Sequence, residues 1–186
     1  MIGASPPARV ALVGTGTIAA SYLTGLRATP GFDVVAVCAR SAESAVAFAM
    51  LHGLSPTTFE ALLADEAIDY VLNLTPASAH EGVTQACLLA GKSVYSEKPL
   101  AATLAPADVL IALAQQRRLL LACAPATFLW PPLATARRLI SEGTIGKIVG
   151  GVSSLVYPGP ELFHPDPAHL YGPAAGPLHD MGVYQV

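Results

Sequence analysis

Short apolar runs and helix-like stretches alternate along this 186-residue chain, and that alternation restricts its fold more than any other feature. Strand-like runs fall at 10–14, 33–38, 69–74, 92–96 and 119–124. Between them lie stretches of helical character at 17–27, 42–52, 58–64, 79–90 and 106–117. The runs are continuously apolar, as in Val34-Val35-Ala36-Val37. Strands read that way when both faces of their sheet are covered. Parallel neighbours need a long crossover between them, and the helices supply it. Gly31, Gly53 and Gly91 stand just past helical stretches, where C-terminal stops belong. The expected class is α/β, a doubly wound parallel sheet with helices on both faces.

Residues 1–8 read as a disordered lead, without the basic start and apolar run of a signal peptide. After Phe128 the texture changes. Pro131-Pro132 begins a helix (Leu133 to Ser141), Gly143 to Gly146 turns, and Lys147 to Tyr157 reads as a strand. A loop rich in proline and glycine, Pro158 to Pro177, leads to a helical start at Leu178 to Val186. The expected organisation is one domain over 9–128, followed over 129–186 by the incomplete start of an α+β open-sheet domain.

Composition narrows the functional classes. The chain is 53% hydrophobic with a mean hydropathy of +0.52. Its longest uncharged run, Leu119 to Ala136, nevertheless contains Pro125, Pro131 and Pro132, which a membrane helix does not tolerate together. A net charge of −3 and the lack of a basic stripe argue against nucleic acid as a partner. Cys38, Cys87 and Cys123 sit in apolar contexts without metal-ligand spacing, which fits buried thiols in a reducing cytoplasm. His164, His169 and His179 read as structural loop residues, so no metal site is expected.

The run Gly14-Thr15-Gly16-Thr17-Ile18-Ala19 follows the strand Val10 to Val13 and opens a helix. Gly14 can take a tight turn, and Gly16 has no Cβ to block a pyrophosphate approaching the backbone. Ala19 is small enough for the helix to pack on the sheet, and the helix start then offers free N–H groups to phosphates. The order of strand, glycine turn and helix predicts a Rossmann dinucleotide site, the alternative being a plain connecting turn. The second strand ends in Ala39-Arg40-Ser41. No carboxylate stands there to accept the ribose hydroxyls of NAD. Arg40 offers a planar fork of donors and Ser41 a hydroxyl, a set suited to a 2′-phosphate. That predicts NADP, with NAD possible; if Arg40 only stacks on adenine, either cofactor fits.

In an open parallel sheet, ligands bind outside the carboxyl ends of the strands. Thr75-Pro76 ends the third main strand, with His80 one helical turn on, and Glu97-Lys98-Pro99 ends the next. Asp180 and Tyr184 lie four residues apart, so a helix would place them on one face. His80 reads equally as a cofactor contact and as a satisfied histidine at a helix start.

Together with Asp180-Met181-Gly182-Val183-Tyr184, these segments resemble the glucose–fructose oxidoreductase, inositol dehydrogenase and MocA family. The stretches Ala124-Pro125-Ala126-Thr127-Phe128-Leu129 and His164-Pro165-Asp166-Pro167 resemble one branch of it. The resemblance implies an NAD(P)-dependent oxidoreductase of sugars, polyols or dihydrodiols, in which a Rossmann domain is paired with a C-terminal open-sheet domain. It places Lys98 beside the nicotinamide and the reacting carbinol, with Pro99 holding it, often through a cis bond. Tyr184 becomes the acid/base, and the charge of Lys98 would favour its phenolate. Asp180 orients the lysine or binds a substrate hydroxyl, while Thr75, Pro76, His80 and Glu97 contact the cofactor. A homo-oligomer is expected of the full-length form.

Two departures stand out. Many relatives carry an arginine pair where this chain has Ala126-Thr127, and the chain stops at Val186, immediately after the Asp–Tyr motif. The latter suggests a fragment or a truncated product, in which the 147–157 strand would expose an unpaired edge. Two other functions stay open at this point: an NAD-dependent glycosidase of the same fold, and a non-catalytic nucleotide-binding module.

Overall fold

The computed structural model describes residues 6–156, 158–162, 167–171 and 176–185. Six strands, β1 (Ala8–Val13), β2 (Phe32–Cys38), β3 (Ser55–Pro56), β4 (Tyr70–Asn73), β5 (Ser93–Ser96) and β6 (Leu121–Cys123), form one sheet in the order β3-β2-β1-β4-β5-β6. Every pairing is parallel. The order steps outward from β1 to one side and then from β4 to the other, the doubly wound Rossmann arrangement. The helices α1 (Ala19–Arg27), α2 (Ala42–His52), α3 (Phe59–Ala64), α4 (Ala77–Leu89) and α5 (Leu104–Arg117) supply the crossovers. Each element expected in this part of the chain is present within two residues of its predicted ends. The sequence reading missed β3, whose two residues pair only with β2 at the sheet edge. Pro56 is acceptable there because an edge strand can spare an N–H.

Both faces of the sheet are buried, which is why its strands are apolar without alternation. Along β1, Val10 and Leu12 pack with Ala19 and Leu23 of α1 and Ala49 of α2. Ala11 and Val13 point the other way, into a cluster with Leu62, Cys87, Leu88 and Leu110. The register has a consequence for function. Cys38, Val13, Asn73, Ser96 and Cys123 pair in succession across five strands, and each is the last residue of its strand. All five following loops therefore leave the same edge. Cys38 and Ser96, three strand spacings apart in this row, are separated by roughly 14 Å.

The chain divides into two compact units, one ending at Cys123 and one beginning at Ala124. The expected boundary at 128 falls inside the second unit. That unit holds a 3-10 turn, Thr127–Leu129, then α6 (Pro131–Ser141) with proline in its first turn, and later α7 (Gly176–Asp180). Here the sequence reading needs correction. Residues 147–156 form no strand, and Val152 is fully exposed. A β-branched run acquires strand geometry only through a ladder partner, and no described residue pairs with it. Tyr157, His164 and the rest of 163–166 lie outside the described residues, as do the side chains of His169 and His179. Among the described residues, no helix is long and apolar enough to cross a membrane.

Burial pushes the Cys38 thiol up to about 11, helped by the charge of Glu60, and pushes the Cys87 thiol up to about 12. The unfolded chain thus releases thiol protons from about pH 9 upward that the folded chain keeps. A folded-state pKa above the unfolded value means stability is lost as pH rises through that window. Urea-unfolding midpoints should stay level near neutrality and decline from about pH 9. A midpoint that rises there would contradict thiols held neutral in the core.

Candidate functional site

The row of strand ends sets the loops side by side, and β1, β4 and β5 supply its centre. Gly14 follows Val13 with φ +112°, and a Cβ on it would lie 2.5 Å from the Leu74 carbonyl oxygen and 3.1 Å from the Thr75 nitrogen. The glycine turn therefore rests directly on the peptide that leaves β4, and no side chain fits between them. Gly16 is the opposite case. It is exposed, and a Cβ there would meet no atom within 4 Å. Thr15 is half-buried, whereas Thr17 and Ile18 are exposed. α1 starts after Ile18 with no side-chain cap, so no side chain serves the N–H groups of its first turn. An uncapped helix start facing open space beyond a glycine turn fits a pyrophosphate.

At the end of β2, Ala39 is half-buried and Arg40 exposed, and no described residue takes the Arg40 guanidinium. Ser41 differs from expectation. Its hydroxyl caps α2, accepting from the Ser44 N–H at 3.2 Å, and donates to Glu43 Oε2 at 2.6 Å. That hydrogen bond, with help from the backbone, holds the Glu43 carboxyl below its ordinary range. The only proton Ser41 can donate is thus spent on a neighbouring carboxylate.

A buried polar knot lies beneath the β4 and β5 loops. Asn73, fully buried, donates to the His80 carbonyl at 3.0 Å and to Thr84 Oγ1 at 3.1 Å. Its side-chain oxygen accepts from Thr75 Oγ1 at 2.6 Å, which fixes the Thr75-Pro76 turn before α4. His80 is 1% exposed, and its ring spans two carbonyls, Nε2 to Thr75 at 2.6 Å and Nδ1 to Pro99 at 2.7 Å. One ring N–H donates to one of these carbonyls and the other nitrogen lies against the second, so the buried His80 side chain sits between the two loops with backbone beside both nitrogens. The His80 ring is thus packed within the fold near the start of α4. The Lys98–Pro99 bond is cis, as the family resemblance implied. Glu97, Lys98 and Pro99 are all half-buried, at the mouth of the edge.

Two residues that sequence reasoning passed over complete this site. Asn73 was visible as the one polar interruption in Tyr70-Val71-Leu72-Asn73-Leu74, an unfavourable type for a buried strand unless its amide is fully bonded. Tyr22, on α1, donates to Glu97 Oε1 at 2.6 Å. Nothing local marks it, because its partner lies 75 residues away.

In the second unit, Asp180 ends α7 and is half-buried. It lines a cavity of about 300 Å³ together with Leu155, Val156, Pro160, Leu170 and Tyr171. Tyr184 is 38% exposed, in a 3-10 turn spanning Gly182–Tyr184. The two do not share a face of one helix. Hydrogen bonding changes from four residues back at Met181 to three back at Tyr184. Gly182, a poor residue for a helix interior, lies at the break.

Residues 8–124 match the oxidoreductase family with an NAD-binding Rossmann fold, Gfo/Idh/MocA, and the chain belongs to that family. It is 30% identical over 180 residues to the trans-1,2-dihydrobenzene-1,2-diol dehydrogenase of Bos taurus, covering 95% of this chain and 53% of that one. It is 34% identical over 157 residues to the 1,5-anhydro-D-fructose reductase of Ensifer adhaerens, covering 83% of this chain and 47% of the relative. Among solved structures, KijD10, a 3-ketoreductase from Actinomadura kijaniata in complex with TDP-benzene and NADP, superposes with a TM-score of 0.79 at 31% identity. That match covers 96% of this chain and 54% of KijD10. GenD2 from gentamicin A biosynthesis, in complex with NAD, superposes at 0.70 and 29% identity over 75% of this chain and 40% of its own. The chain spans about half the length of the curated relatives it matches.

The two glycines should separate when each is replaced by alanine. Gly14→Ala meets both a positive φ and an immovable carbonyl, and should cost about 3 kcal/mol or more of stability. Gly16→Ala meets neither, and should stay within about 1 kcal/mol of the parent. Urea unfolding of the two variants checks this, and equal losses would contradict the packing at Gly14.

Proposed function

We propose that this chain binds a nicotinamide dinucleotide along the row of strand ends, NADP in preference to NAD. The protein it belongs to then oxidises or reduces a carbinol of a sugar, polyol or dihydrodiol. The observation that carries the reading is the register itself. It lines up the Arg40 loop, the glycine turn and the Lys98 loop, in that spatial order, at one edge of the sheet. The open space at Gly16 and the uncapped start of α1 suit the phosphates, and Thr75 and Pro76 lie on the path between the phosphates and Lys98. When bound, the nicotinamide supplies or takes up hydride.

The residues of the chain bind, orient and move the proton. Lys98 is assigned to the substrate oxygen, supported by its place on the loop after β5. Asp180 and Tyr184 are assigned with it on the family resemblance. The substrate class rests on the dihydrodiol, anhydrofructose and keto-sugar names of the relatives. Homo-oligomeric assembly and a cytoplasmic setting belong to the same proposal, the latter supported by cysteines that are free thiols within the fold.

The NADP preference follows from charge. Ala39 presents no carboxylate to a 2′-phosphate, and the Arg40 fork has no competing protein partner among the described residues. A charge-assisted contact is worth about 1.5–3 kcal/mol. Arg40→Ala should therefore weaken NADP binding to the chain about ten- to a hundredfold and leave NAD nearly unchanged. Equal losses on titration would remove the phosphate role. Binding of neither nucleotide by the unaltered chain would remove the dinucleotide reading.

The chemical role of Lys98 has its own test. In a preparation that turns over a hydroxylated compound, Lys98→Met keeps most of the side-chain volume and removes the ammonium. Turnover should fall by about 10² to 10⁴ while nucleotide affinity changes little. Near-normal turnover would sink the assignment.

A further inference from the structure

Glu97 has no polar group left over. Its N–H donates to the Asn73 carbonyl at 2.9 Å, and its own carbonyl accepts from Ser96 Oγ at 3.0 Å. One carboxylate oxygen accepts from Tyr22 Oη at 2.6 Å, the other from the Lys98 N–H at 3.0 Å. A carboxylate used this way brackets the backbone at Lys98. The outer anchor of that bracket is Tyr22, which lies in the first turn of α1, its N–H bonded to the Ile18 carbonyl at 3.2 Å. The same turn of the same helix begins at the glycine loop. Tyr22 also packs edge-on against Tyr95, with ring centroids 5.7 Å apart, and this seats the phenol over β5. Its Oη lies 3.5 Å from Tyr95 Oη, at the limit of a hydrogen bond, so the short bond to Glu97 dominates. Burial first, and then the hydrogen bond to the Glu97 carboxylate, push the Tyr22 phenol well above its ordinary range, which keeps it a donor.

We infer that Tyr22 is a positioning residue that acts through Glu97 to set the Lys98 turn, joining the phosphate end of the dinucleotide site to its nicotinamide end. The inference rests on the dinucleotide reading above and goes beyond it. The phosphates meet the start of α1, the reacting end meets Lys98, and the Tyr22–Glu97 bond is a direct link between them. Removing the hydroxyl alone leaves the ring on Tyr95 and the glycine turn intact. It frees one oxygen of Glu97 and unpins the carboxylate that accepts from the Lys98 N–H. Loss should therefore appear only with ligands that carry a nicotinamide.

The test titrates the full chain and its Tyr22→Phe variant with two kinds of probe. One is ADP-ribose, with and without a 2′-phosphate; the other is NADPH or NADH, followed by nicotinamide fluorescence. The expected result is ADP-ribose affinity within about twofold of the parent, and reduced-dinucleotide affinity lower by about tenfold. The bound emission should move toward that of the free nucleotide. Glu97→Gln, whose single side-chain oxygen cannot serve both donors as the carboxylate does, should lower reduced-dinucleotide affinity to a similar degree. The double variant should be no worse than either alone, because both changes break one connection. Equal losses for both kinds of probe, or no loss for either, overturn the inference. If Tyr22→Phe does not fold, as judged by its urea midpoint, the Glu97→Gln variant decides on the reduced dinucleotides, where an unchanged affinity overturns the inference. Failure of the parent chain to bind any of these probes overturns the dinucleotide reading and this inference with it.

Discussion

The contact of Gly14 on the backbone of Leu74 and Thr75 fixes the geometry on which the rest of the edge depends. At 2.5 Å from a virtual Cβ to a carbonyl oxygen, the approach leaves room for hydrogen only. It brings the loop after β1 against the loop after β4, so that the surface above them is backbone with no side chain in between. The adjacent step, at Gly16, opens onto free space. One glycine allows two loops to touch, and the next leaves their outer surface low and open.

The neighbouring half of the edge is held by other means. Thr75, His80 and Pro99 belong to three segments, yet one imidazole ring ties the first to the third, and one buried amide ties the first to α4. Among the described residues, no buried side-chain nitrogen or oxygen is left without a partner. In a low-dielectric setting, a satisfied network of this kind resists distortion, because breaking any one bond leaves a buried polar group unpaired. The position of Lys98 is thereby a property of the sheet and its polar knot rather than of the loop that carries it.

The part of this architecture legible in the sequence is the part with a local cause. Continuous apolar runs reveal strands covered on both sides, and Gly14, Gly53 and Gly91 reveal turns through conformations that only glycine adopts cheaply. The loops at 39–41, 75–76 and 97–99 follow from where strands end. What escaped has a nonlocal cause. Tyr22 matters because of a residue just past the end of another strand. Ser41 is the exception, since a serine immediately before a helix is a common N-cap and its bonds to Ser44 and Glu43 are local. The run at 147–156 has strand composition without a described partner, so composition alone misled. Asp180 and Tyr184 have helical spacing, but Gly182 between them ends the regular helix.

The two ends of the row are built from opposite materials, and this bears on how such a site can change. Around Lys98 the supporting groups are buried and fully bonded, with Asn73 and Ser96 at 0% exposure. Around Arg40 they are exposed, and Ser41 and Glu43 serve each other. The Arg40 and Glu43 side chains are both exposed and no ion pair joins them, so substitution at either disturbs little of the fold. In the proposed site a 2′-phosphate would gain from the Arg40 guanidinium. The proposed site thus has one exposed end on which the fold depends little, while at its buried end the bonded groups hold the Lys98 turn in place.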